Sequence, residues 1–287
     1  MKTESKPHDA YDGSGLTTRD DMDDESLFGS SLSSGPASLL EPNLSLEGAP
    51  ARANLPASIS PPPISGLYVF PGILPETTSC EFFLQHLLQT LLRRTRSADL
   101  LQEIAKSDIF CGGQRNQAML FSSGKASTTA FPTYLQNLCF LLEDLLASRL
   151  PSSTTSTLFH PSFADASSRQ IILNLYRPGE GISPHIDLTG RYADGIIGVC
   201  LGSGCVMDFE NHDGGLVSTD MASKYSVYMP ARTVYCLAGD ARWNWNHGIA
   251  SRDRDLVEDS GKISTILRDV RISITLRWMK PGAEVLK

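Results

Sequence analysis

Asn174-Leu175-Tyr176-Arg177-Pro178-Gly179-Glu180-Gly181-Ile182-Ser183-Pro184-His185-Ile186-Asp187 carries a strand, a turn and a spaced His–Asp pair within one short run. The apolar stretch that leads into it, Gln170–Arg177, reads as a strand, and Pro178-Gly179 breaks it. On extended backbone, residues i and i+2 point to the same face. Asn174 and Tyr176 therefore share a face, and so do His185 and Asp187, whose side chains can then reach one metal ion. A single His-x-Asp is a common surface pair. It gains meaning only from a third ligand further along the chain.

Downstream lies Trp243-Asn244-Trp245-Asn246-His247-Gly248-Ile249, with 59 residues between Asp187 and His247. Two histidines and one carboxylate make the facial ligand set of non-haem Fe(II), which leaves positions open for a co-substrate and O₂. The other histidines, His8, His86, His160 and His212, bring no carboxylate into comparable spacing. The last strand, Val270–Trp278, alternates strictly. Arg271, Ser273, Thr275 and Arg277 fall on one face, and Val270, Ile272, Ile274, Leu276 and Trp278 on the other. The polar face is either a solvated one or an inner one that holds a dicarboxylate, because a guanidinium fork matches a carboxylate.

The remaining elements set the fold class. Gly66–Phe70 reads as a strand, Glu81–Lys106 as an amphipathic helix, and Thr133–Leu150 as a second helix stopped by Pro151. Further strands are expected at Gly195–Leu201, Cys205–Phe209, Ser226–Met229 and Thr233–Ala238. Helices first and strands afterwards give an α+β chain whose strands form a sandwich or barrel. Arg252-Asp253-Arg254-Asp255 and Glu258-Asp259-Ser260-Gly261 read as a long charged loop after His247.

The order of these motifs resembles the AlkB family of Fe(II)- and 2-oxoglutarate-dependent dioxygenases. The likeness rests on Asn174 to Asp187, Leu201-Gly202-Ser203, Val206-Met207-Asp208-Phe209, Arg242 to Ile249, and Arg271 to Arg277. It is nearest to the oxygenase domain of eukaryotic AlkB homologues that act on transfer-RNA wobble uridine. It is strong over about residues 170–280 and looser over 66–165. The resemblance implies a double-stranded β-helix (jelly roll) with flanking helices. It implies Fe(II) bound by His185, Asp187 and His247, the catalytic residues, with 2-oxoglutarate and O₂ as co-substrates. Arg271 would pair with the distal carboxylate of 2-oxoglutarate, with Asn174 and Tyr176 assisting. Ser273 and Thr275 share the strand's polar face, and Arg277 would lie near the keto-acid end or the substrate. Ser273 stands where the family often has Asn.

The implied reaction is hydroxylation of a substrate C–H bond, giving demethylation where that bond belongs to an N-methyl group. A modified base in DNA, RNA or tRNA is the expected substrate. The alternatives are a protein substrate, or a non-catalytic scaffold that binds partners. Aromatic residues from Phe159 to Phe163 and the Cys111–Phe121 region are candidates to meet a base. Arg93, Arg94, Arg96 and Arg115 are candidates to meet phosphate.

Composition bounds the rest. The chain has 287 residues and a net charge of −7. Residues 1–60 hold ten acids, four bases and eleven serines, with only Tyr11 and Phe28 as aromatics, so the remainder is nearly neutral. Residues 1–63 are expected to be a disordered acidic Ser/Pro-rich tail, and residues 64–287 the oxygenase domain. The acidic run Asp20–Glu25 beside Leu27 and Phe28 is a candidate docking element for a protein partner. The six cysteines form no CxxC pair, which argues against a zinc finger. No HExxH, Walker, GxGxxG or GxSxG motif is present. No apolar run is long enough to span a bilayer, and no secretory signal is expected, so cytoplasm or nucleus is the expected location.

Overall fold

Runs of Ile, Leu, Val and Tyr broken by glycine and proline turns favour short strands over helices through most of this chain. The computed structural model describes residues 55–75, 97–122, 131–159, 168–212 and 224–283. The strands are β1 (Ala57–Ser58), β2 (Leu67–Phe70), β3 (Gln117–Ser122), β4 (Arg169–Tyr176), β5 (Ile182–His185), β6 (Tyr192–Gly202) and β7 (Cys205–Asn211). They continue as β8 (Lys224–Met229), β9 (Val234–Leu237), β10 (Trp245–Ile249), β11 (Arg254–Asp259), β12 (Lys262–Leu267) and β13 (Arg271–Met279). The helices are α1 (Ser97–Lys106), α2 (Thr133–Ala147), α3 (Ser152–Phe159) and the short α4 (Asp240–Trp243).

One sheet has the order β2-β9-β6-β13-β4-β3 and the other β12-β11-β1-β8-β7-β10-β5. Between β4 and β13 the chain passes back and forth between them. It leaves β9-β6-β13-β4 on one side and β8-β7-β10-β5 on the other. That interleaving is a double-stranded β-helix, as expected.

Strand parity separates two cores. Ile171, Leu173, Ile274 and Leu276 face outward and pack with Leu135, Leu138, Leu142 and Leu146 of α2. Their spacing puts the four leucines on one helix face, and each buried leucine contributes about 1.5–3 kcal/mol. The opposite face of β6 and β9, with Ile196, Cys200, Tyr235 and Leu237, packs with Met207, Phe209, Val227 and Trp245.

Four expectations change. Helix α2 ends at Ala147, before Leu150, and a further helix, α3, follows Pro151 where strands were expected to begin. Its sequence, Ser-Ser-Thr-Thr-Ser-Thr-Leu-Phe, has no apolar period, and Thr155 and Thr157 donate their hydroxyls back to the carbonyls of Pro151 and Ser153. The expected charged loop is instead the β11–β12 hairpin, which turns at Ser260 and Gly261 with φ of 52° and 81°. Positive φ at both central residues is the turn type that matches strand twist. The hairpin is anchored by buried Asp255, which accepts from Arg268, Arg252 and the Val206 amide.

The expected tail to residue 63 also overlaps the sheet. Ala57 is buried, and β1 lies parallel between β11 and β8, where a small side chain fits against Val206 and Val257. Of the expected helix Glu81–Lys106, residues 97–106 are helical and 81–96 lie outside the described residues. The acidic run Asp20–Glu25, and the candidates Arg93, Arg94 and Arg96, also lie outside them.

Candidate active site

Strand β5 runs antiparallel beside β10, and its last residue, His185, stands directly opposite His247. The two rings tilt together with centroids 4.5 Å apart. Asp187 follows just beyond the end of β5, and its Oδ2 lies 3.6 Å from His247 Nε2. One ligand atom from each of the three residues falls within 4.8 Å of the other two. Such a cluster fits a divalent ion held on one side by two imidazoles and one carboxylate.

The protonation states suit that fit. His185 Nδ1 donates to the Ser183 carbonyl at 2.8 Å, which leaves Nε2 with its lone pair. Burial pulls both imidazoles below the usual histidine range. His247 is pushed down to about 3, with His185 and Arg242 adding to the effect of burial. Neutral imidazoles are the metal-binding form.

Behind the cluster, the odd-numbered residues of β13 face inward. Arg271, Ser273 and Arg277 are all buried, so this polar face is an inner one and not a solvated one. Arg277 Nη1 pairs with Asp187 Oδ1, its Nε donates to Gln170 Oε1 at 2.6 Å, and its guanidinium lies 3.6 Å from the Tyr192 ring centroid. Arg277 thus touches the carboxylate of the cluster directly.

Arg271 sits at the other end of β13. Its guanidinium lies 3.9 Å over the Tyr176 ring, and Tyr176 shares hydrogen bonds with Ser273 and Arg271. Arg271 Nη2 is nevertheless buried with no hydrogen-bond partner. An unpartnered buried guanidinium nitrogen is costly, and a carboxylate oxygen of a bound dicarboxylate would satisfy it. The donor set therefore fits both a metal ion and an anionic co-substrate.

Gly198 opens the floor between them. A Cβ there would lie 2.0 Å from Tyr235 Cζ, so only glycine lets that ring lie across β6. Thr275 pairs with Gly198 and Ile172 in neighbouring strands and is half-buried. Asn174 pairs with Ser273, and its Oδ1 accepts from Gln117 Nε2 at 2.9 Å.

Matching begins at residue 66 and ends at residue 277 for the sequence model described as the 2OG-Fe(II) oxygenase superfamily. The chain belongs to the 2OG-Fe(II) oxygenase superfamily. It is a 2-oxoglutarate-dependent dioxygenase, and its cofactor and co-substrates are Fe(II), 2-oxoglutarate and O₂. The oxygenase is 42% identical over 113 residues to the uncharacterized protein L905 of Acanthamoeba polyphaga mimivirus, covering 39% of this chain and 49% of the relative. It is 32% identical over 123 residues to the tRNA (carboxymethyluridine(34)-5-O)-methyltransferase alkbh8 of Xenopus tropicalis, covering 39% and 18%. It is 34% identical over 134 residues to the alkylated DNA repair protein ALKBH8 homolog of Arabidopsis thaliana, covering 39% and 38%. The two ALKBH8 relatives agree with an AlkB-type oxygenase. The chain spans less than half the length of each of them.

Several site residues of the oxygenase carry weaker sequence signals. Gln170 shares the strand parity of Asn174 and Tyr176, so extending the alternation back along β4 finds it. Gln117 and Met119 lie on β3, whose short polar–apolar mixture hides a strand; Gln170 Nε2 reaches Met119 Sδ at 3.8 Å. Tyr235 has no motif, and its signal is the facing Gly198. Phe159, one of the expected base-contacting aromatics, packs instead in the outer core with α2, on the far side of the sheet. Phe163 lies outside the described residues.

Proposed function

We propose that His185, Asp187 and His247 hold Fe(II), and that Arg271, assisted by Asn174, Tyr176, Ser273 and Thr275, holds the distal carboxylate of 2-oxoglutarate. Held there, the metal and co-substrate would supply hydroxylation of a C–H bond, with 2-oxoglutarate and O₂ converted to succinate and CO₂. The chain's own part is to orient and to shield. Arg277 fixes the Asp187 carboxylate, Gln170 fixes Arg277, and Tyr235 closes the floor. The observation that carries this reading is the unpartnered Arg271 Nη2 on the same inner face as the Arg277–Asp187 pair.

The substrate is a modified base in RNA or DNA, demethylated or hydroxylated by the protein in the cytoplasm or nucleus. Two of the similar proteins are named for tRNA or alkylated-DNA chemistry. The rim of the site supports this choice. A cross-strand row runs from Arg277 through Gln170 to Phe121, and the next from Thr275 through Ile172 to Met119. At the end of these rows Phe121 is 41% and Met119 38% exposed. Large apolar side chains left in water beside an inner polar wall offer a stacking surface for a planar base, worth about 1–3 kcal/mol per base. Among the described residues, no helix is long and apolar enough to cross a membrane.

The test supplies Fe(II), 2-oxoglutarate and O₂ with a panel of tRNAs, N-methylated DNA and RNA oligonucleotides, and peptides. Succinate formation is followed together with substrate mass. Gain of one oxygen or loss of one methylene from a nucleic acid is expected. Turnover confined to peptides would replace the nucleic-acid reading with a protein substrate.

A further inference from the structure

Arg242 is buried to 1% exposure and heads the fully buried side chains by size. Among the described residues, no acidic side chain lies within ion-pair distance of it. It donates instead to three carbonyls: Nη1 to Asp187 at 3.1 Å, Nη2 to Tyr192 at 3.4 Å, and Nε to Ala193 at 3.4 Å. Its guanidinium lies 4.3 Å over the Trp243 ring. Burying a cation against neutral acceptors is expensive, and burial pulls its pKa down to about 10. An apolar side chain would fill the space at lower cost. What it would not do is hold both ends of the turn that follows Asp187.

That turn is gripped elsewhere too. Lys280 donates its Nζ to the Thr189 carbonyl at 2.7 Å, and its backbone amide donates to Arg191 O at 2.8 Å. Asp194, next along the chain, accepts from the Gly239 amide at 3.0 Å and ties β6 to the start of α4. Residue 242 is also only five positions before His247, so a single short segment supplies one ligand and fixes the backbone of another.

We propose that Arg242 is a positioning residue for the iron site: by holding the carbonyls of Asp187, Tyr192 and Ala193, it places the Asp187 carboxylate before the metal binds. The proposal rests on the assignment of His185, Asp187 and His247 as ligands. Lysine cannot replace it, because one ammonium does not span three separated carbonyls as a planar fork does.

The test uses full-length protein and Mn(II) alone, with affinity read from the electron-paramagnetic-resonance signal of free Mn(II) and thermal midpoints measured without metal. Arg242→Met is expected to weaken Mn(II) binding at least tenfold, and Arg242→Lys to restore only part of it. Asp255→Asn, in the distant hairpin, serves as a control that lowers the midpoint without moving Mn(II) affinity. Folded Arg242→Met with wild-type affinity would overturn the proposal. Asp187→Ala separates the two levels: if it too binds Mn(II) normally, the ligand assignment itself fails. Should every Arg242 variant fail to fold, amide exchange on the wild-type protein decides. Residues 188–193 protected equally with and without Mn(II) support a preset turn, whereas protection gained only on binding overturns it.

Discussion

Replacing Arg271 with alanine removes the one buried guanidinium among the described residues whose Nη2 has no hydrogen-bond partner. On the proposed assignment, the variant loses a charged, two-pronged contact to 2-oxoglutarate. Charged hydrogen bonds contribute about 1.5–3 kcal/mol each, and part of that gain is offset because Arg271 already bonds Tyr176. The net loss is about 2–4 kcal/mol, which corresponds to roughly 30- to 1,000-fold weaker binding. The assay is calorimetric titration of Mn(II)-loaded protein with 2-oxoglutarate under anaerobic conditions. Mn(II) affinity is measured alongside, because Arg271 sits at the opposite end of β13 from Arg277 and its loss leaves the metal cluster in place. Selective loss of 2-oxoglutarate binding is expected. Unchanged 2-oxoglutarate affinity in a folded variant would refute the assignment of Arg271 to the distal carboxylate.

Three further perturbations act on other parts of the structure. Asp255→Asn strands buried Arg268 and is expected to cost about 3–5 kcal/mol of stability, read as a lowered denaturation midpoint. Burial raises the Asp255 carboxyl, but Arg268 and Arg252 more than offset that and hold it below the usual carboxylate range. Its contribution is therefore complete above about pH 4 and fades as pH falls through the folded value; the variant's acid-unfolding curve should lack that component, and an unchanged curve would contradict the anchor. Gly198→Ala drives a methyl into the Tyr235 ring and is expected to cost about 1–3 kcal/mol and to weaken 2-oxoglutarate binding, both measurable in one titration series. Phe121→Ala is expected to raise the KM for a nucleic-acid substrate about 5- to 150-fold, in line with the loss of one stacking contact, with little change in 2-oxoglutarate affinity.

Much of this site is legible in the sequence because strand parity is a rigid rule. Once Val270–Trp278 alternates, Arg271, Ser273, Thr275 and Arg277 must share a face, and the partner strand β4 places Asn174 and Tyr176 opposite them. Parity does not say which face is solvated; the burial of Arg271, Ser273 and Arg277 settles that. The β11–β12 hairpin escaped because charged residues dominate it, although Ser260-Gly261 carried the turn. Helix α3 escaped because threonines closed by side-chain-to-carbonyl bonds leave no apolar period to read. Arg242 lay inside a recognisable motif, yet its task is set by backbone carbonyls, and sequence patterns do not display those.

Anaerobic addition of Fe(II) and then 2-oxoglutarate to the metal-free protein, monitored by the metal-to-ligand charge-transfer absorption, tests the central claim without any substrate. The band is expected to grow to one equivalent and to be absent in His185→Ala, whose far-ultraviolet circular dichroism stays native. A well-folded wild-type protein that gives no band, or a His185→Ala variant that keeps it, would contradict the assignment of His185, Asp187 and His247 as the iron site.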